Sequence, residues 1–77
     1  MVKNLSTAKN GEIGRISSIE GDGRFLNRVT SIGLTLGSTV QVIQNQKKHP
    51  LLVYTRDTMI AINPKECEKI MLEVILN

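Results

Sequence analysis

A small, mainly β barrel closed by one short helix is the fold class this sequence predicts, and three observations predict it. The first is size: 77 residues make one domain, and a chain of that length buries about 60% of its unfolded surface. The second is a series of short β-rich runs, each bounded by glycine, proline or a polar pair. The third is one amphipathic stretch, Gly21 to Gly37 (GDGRFLNRVTSIGLTLG), which carries its own start and stop signals. A helix that short does not hold itself together in water, so it must close over something.

Residues 4–10 read as a polar turn with Leu5 and Ala8 facing inward. Glu12 to Ile19 is the first strand. Its isoleucines, Ile13, Ile16 and Ile19, recur every three residues instead of alternating, and Gly14 offers a bulge or bend that swaps faces. A helix over about 23–32 follows, with Asp22 placed to accept from the orphan N–H groups of its first turn. Phe25, Leu26, Val29 and Ile32 fall on one face, expected to be core; Arg24, Asn27, Arg28 and Ser31 take the other. Gly33 suits the positive φ that ends a helix, Leu34 can fold back over the last turn, and Gly37 closes the next turn.

Ser38 to Gln44 is a second strand with Val40 and Val42 on one face, and Asn45 to His49 is a polar loop. Leu51–Thr55 and Thr58–Ile62 form a hairpin across Arg56-Asp57. Asn63-Pro64-Lys65-Glu66 reads as cap, first position and acidic third position of a short helical turn near 64–67. Ile70 to Ile75 resumes a strand pattern. Five short strands cannot make two large sheets, but they can curl into an SH3-like barrel whose open end the helix plugs.

Composition narrows the function. Ten basic and seven acidic side chains leave a mild +3, scattered except for Lys47-Lys48-His49. That spread fits a solvated surface, with weak nucleic-acid binding through Lys47, Lys48, His49 and Arg15 or Arg56 as the less favoured reading. One Phe, one Tyr and no Trp leave few rings for stacking on bases. A single cysteine, Cys67, excludes an internal disulfide framework and fits a reducing compartment. No apolar run reaches the length of a membrane span and no secretory h-region is present, so a cytoplasmic chain is expected.

The residues in order, Gly11-x-x-Gly14-x-Ile16-x-x-Ile19-x-Gly21-Asp22, then Arg28-Val29-x-x-Ile32-Gly33-Leu34-x-x-Gly37-x-x-Val40-x-Val42, then Ile60-Ala61-Ile62, resemble the FeoA domain. The resemblance runs from about Leu5 to Leu72, and residues 1–77 are read as a single domain of that kind. Two positions depart from the family pattern: Leu36 stands where proline is usual and Cys67 where alanine is favoured. Neither threatens the fold, since Gly37 still permits the turn and a thiol packs as a small apolar group. The resemblance implies a non-catalytic accessory of bacterial ferrous iron uptake that contacts the cytoplasmic part of the membrane GTPase FeoB. It does not imply that this chain itself binds iron or hydrolyses GTP.

No catalytic, cofactor or metal residue is assigned. His49, Cys67, Asp22, Asp57, Glu66 and Glu68 lack ligand spacing, and no phosphate-cradling G-x-x-x-x-G-K-[ST] loop is present. One His and one Cys, without an ordered base and orienter, make no nucleophilic constellation. The candidate partner-binding residues are Arg24, Asn27, Arg28, Ser31 and Leu36. Arg28 has a structural reading beside that one: an ion pair with Asp22 or Glu20, or hydrogen bonds to loop carbonyls. Leu72, Val74 and Leu76 are a candidate edge for homo-oligomerisation, because IMLEVILN is apolar on both faces except at Glu73. An alternative role is the SH3-like module appended to DtxR-type metal-dependent repressors; a start at Met1 with no helix-turn-helix before it disfavours that reading.

Overall fold

The computed structural model describes residues 1–76. Six strands and two helices follow one another: β1 (Val2–Asn4), β2 (Ile13–Ile19), α1 (Gly23–Ser31), β3 (Thr39–Gln44), β4 (Leu51–Thr55), β5 (Thr58–Ile62), α2 (Pro64–Cys67) and β6 (Ile70–Leu76). A 3-10 turn over Leu5–Thr7 links β1 to the stretch before β2. All pairings are antiparallel, in the order β1-β6-β2-β3-β4-β5. The architecture is the expected SH3-like one. The ladder itself stays open, with β1 and β5 as its two edges.

The additional strand is β1, where Val2, Lys3 and Asn4 pair with Glu73, Leu72 and Met71. Three residues carry no readable alternation, so this strand exists only because β6 is there to pair with it. The same pairing corrects the oligomer-edge expectation. β6 lies between β1 and β2, Leu72 is fully buried, and Val74 packs against the core. Neither is free to meet a second chain, and the side chain of Leu76 lies outside the described residues.

Gly14 does what its place in the first strand requires. The β2–β6 register slips between Ile13 and Gly14, and a Cβ there would lie 2.5 Å from the Glu73 carbonyl oxygen and 2.7 Å from Leu72 Cγ. Only glycine lets β6 approach so closely. The β4–β5 hairpin turns on Arg56 (φ 50°) and Asp57 (φ 62°), both left-handed, as a two-residue loop between twisted strands needs.

One core unites the sheet's inner face with α1 and α2: Ile16, Val29, Leu34, Val53, Ile62 and Leu72 are among its buried members. Glu12 is buried beside it at 2% exposure. Lys3 Nζ donates to both Glu12 carboxylate oxygens, at 3.0 and 3.2 Å, and the Lys9 backbone N–H donates to one of them at 2.6 Å. A carboxylate taken out of water needs this many partners to remain charged.

Candidate functional site

The helix α1 is held at both ends by local chemistry. Asp22 accepts from the Phe25 N–H at 2.9 Å, the expected cap. At the other end the Leu34 N–H donates to the Val29 carbonyl and the Gly33 N–H to that of Thr30, with Gly33 at φ 107°. This paired geometry makes the left-handed stop of a Schellman motif. Leu34, fully buried, is thereby swung under the helix.

That fold-back changes which apolar residues face inward. Phe25 and Val29 are buried, one turn apart on the core side. Leu26 and Ile32, expected with them, are 37% and 43% exposed. Leu26 lies about 100° around the helix from Phe25. Ile32 is the C-cap, past the last helical residue, and Leu34 takes the interior place it would have filled. Leu36 projects further still, 66% exposed at the tip of the turn that Ser38 N–H→Thr35 C=O closes. Leu26, Ile32 and Leu36 therefore present apolar surface from one continuous stretch of chain.

The polar face is exposed as expected, with its members differently engaged. Arg24 and Asn27 side chains make no hydrogen bond or ion pair with the described residues. The Ser31 hydroxyl donates to the Asn27 carbonyl at 2.8 Å, within its own helix. Arg28 is ion-paired with Glu66 of α2, not with Asp22 or Glu20, and its guanidinium lies 5.7 Å from the Phe25 ring centroid. Lys69 Nζ approaches the same ring at 4.8 Å. Arg28 thus ties α1 to α2, a partner some forty positions away that no spacing rule connects to it.

The residues with metal-ligand chemistry are dispersed into structural roles. Asp22 caps α1, Glu66 pairs with Arg28, and Asp57 accepts from the Tyr54 hydroxyl at 3.1 Å. Among the described residues no three His, Cys, Asp or Glu side chains gather. Cys67 is buried on the core side of α2, and its burial pushes the thiol up to about 11, so it stays protonated near neutral pH. His49 and Cys67 do line a common cavity, with Lys47 and Lys48 at its mouth. Arg15 and Arg56 do not line it.

Sequence reasoning missed Glu12 and its Lys3 partner. Nothing in the order of residues marks a buried ion pair, and a Glu at the start of a strand beside Gly11 is usually solvated. The exposure of Leu26 and Ile32 was also missed.

The FeoA domain family model matches residues 3–74. The chain belongs to the FeoA domain family. A Methanocaldococcus jannaschii protein named "Putative Fe(2+) transport protein A" is 35% identical to this FeoA chain over 69 residues, covering 90% of it and 83% of the relative. A crystal structure of an iron uptake regulatory protein, FeoA, superposes with a TM-score of 0.93 at 27% identity, over 97% of this chain and all of the other. A manganese-dependent transcriptional repressor matches with a TM-score of 0.88 at 18% identity, over 96% of this chain but 42% of its own. That last likeness is one of fold, a FeoA-type barrel inside a longer protein. No helix among the described residues is long and apolar enough to cross a membrane.

Proposed function

We propose that this FeoA-family chain is a non-catalytic accessory of ferrous iron uptake, working at the cytoplasmic face by contact with the transporter GTPase FeoB. The supporting observation is that α1 and the turn after it expose Leu26, Ile32 and Leu36 beside the polar residues Arg24, Asn27, Arg28 and Ser31. Exposed apolar side chains set among polar ones are the surface chemistry of a protein contact. Membership of the family and likeness to an Fe(2+) transport protein supply the process.

A small barrel can bias a GTPase only by preferring one of its states, in contacts or in order. The contact must then weaken when one of those exposed apolar side chains is made polar. FeoB from solubilised membranes should co-purify with the tagged chain and be lost with Leu36→Asp, whose exposed position spares the core. Arg24→Glu should weaken the capture to a smaller degree. Capture unaffected by both substitutions, or none by the unaltered chain, refutes this reading. The regulatory-appendage alternative rests on the shared barrel alone.

A further inference from the structure

The sheet ends on β5, and that edge is undefended. The tight turn at Arg56-Asp57 makes Thr55 and Thr58 a hydrogen-bonded pair, so alternation gives Val53–Ile60 and Leu51–Ile62 the same character. The N–H and C=O groups of Met59 and Ala61 therefore point away from β4, on a side where no strand of the described residues lies. Thr58, Met59 and Ala61 are exposed, so that side is open to solvent. Native sheets usually blunt such an edge with a charge, a proline, a bulge or sheer shortness. Over its five residues β5 has no such device: TMIAI is uncharged and pairs with β4 without a register shift. The opposite edge, β1, is three residues long, carries Lys3 and starts beside the Met1 ammonium.

We propose that β5 is a self-association edge, through which two copies of this chain pair antiparallel about a two-fold axis at Ile60. That register sets Met59 opposite Ala61 of the second copy, so the residues with outward N–H and C=O groups satisfy one another. Side-chain size agrees. On the outer face Tyr54 flanks Met59 and Leu52 flanks Ala61. The row across the joint therefore runs Tyr54, Met59, then Ala61 and Leu52 of the second copy, with the long side chain against the short one. Charge agrees as well. The uncharged strands meet without repulsion, and exposed Asp57 at one end approaches Asn63 and then Lys65 of the second copy. A parallel pairing would set Asp57 against its own counterpart. An unrelated extended peptide would share the backbone bonds, but not the Met59–Ala61 match or the opposite charges at the ends. A two-fold contact closes at two copies, so it makes a dimer and not a filament. Neither FeoB nor iron enters the inference, so it stands apart from the iron-uptake reading.

Edge pairing alone buries less than about 1,000 Å², so the dimer is weak, with a dissociation constant on the order of 0.1–1 mM. The test is sedimentation equilibrium of the full chain, with amide-resolved hydrogen exchange, from about 0.05 to about 2 mM to bracket that constant. Exchange at Met59 and Ala61 should slow severalfold at the upper end, in step with the dimer fraction. Ile60 and Ile62, whose N–H groups already donate to β4, should not change. Ala61→Pro deletes an outward N–H without touching the β4 ladder and should abolish the dimer. Ala61→Lys should weaken it severalfold by putting a charge on each edge. A chain that stays monomeric up to about 2 mM, or one that assembles beyond a dimer, overturns the proposal. So does protection arising at Val2 and Asn4, or at Leu26 and Ile32, in place of β5, and so does an Ala61→Pro dimer of unchanged affinity. Sedimentation and exchange use the unaltered protein, so they decide even if a variant misfolds.

Discussion

The ends of α1 and the amino-terminal segment before β2 are secured in different ways. At the two ends of α1 the hydrogen bonds span three to five residues: the cap to Phe25, then Gly33→Thr30 and Leu34→Val29; Arg28, paired with Glu66, reaches further. From Lys3 to Glu12, short-range contacts are joined by several that reach across the molecule. Asn45 of the loop after β3 donates through its side-chain amide to the carbonyls of Ser6 at 3.1 Å and Ala8 at 2.6 Å. Asn4 donates to the Glu68 carbonyl at 2.7 Å, while the buried Glu12 is met from within the segment, by Lys3 and the Lys9 N–H. Short-range contacts can be read from spacing. Long-range ones need the folded sheet to bring their partners together.

The contrast is open to direct attack. Glu12→Ala should have the largest effect, a loss of about 3 kcal/mol in urea denaturation, because it strands the half-buried Lys3 ammonium and the Lys9 N–H together. A loss below about 1 kcal/mol would show that the amino-terminal segment gains little from the buried pair. Asn45→Ala comes next, at about 2 kcal/mol, because two carbonyls lose their donor, one of them in the buried Ala8. Hydrogen exchange should quicken over residues 5–12 in that variant and leave α1 unchanged.

Asp22→Ala should cost about 1 kcal/mol, the usual value of a helix cap, with exchange quickened at Phe25 and Leu26. If it matched Glu12→Ala, the contrast between the two segments would fail. Arg28→Ala should be the mildest, under about 1 kcal/mol, since the pair with Glu66 is largely exposed on the arginine side. A double-mutant cycle with Glu66→Ala measures that pair directly.

The legible parts of the chain follow this division. The α1 boundaries, the Asp22 cap, the Gly33 stop, the β4–β5 hairpin and the Asn63-Pro64 start of α2 were all readable, because each is a relation between near neighbours. Gly14 was readable as a bulge, though not as the place where β6 needs backbone clearance. β1 was not readable, nor was the interior position of β6, since pairing partners lie about seventy residues apart along the chain. The candidate site was half legible. Its polar residues were identified, but Arg28's partner and the exposure of Leu26 and Ile32 depend on where α2 and Leu34 come to rest.

Sequence alone determined which stretches from β2 onward are strand and which helix, where the glycines must stand, and the FeoA family, because those depend on local backbone chemistry and an ordered set of residues. Tertiary structure alone decided that Glu12 is buried against Lys3, that Leu26, Ile32 and Leu36 face outward, and that β6 runs between β1 and β2. The physical reason is that burial belongs to no single residue. It is set by whatever the rest of the chain packs against it.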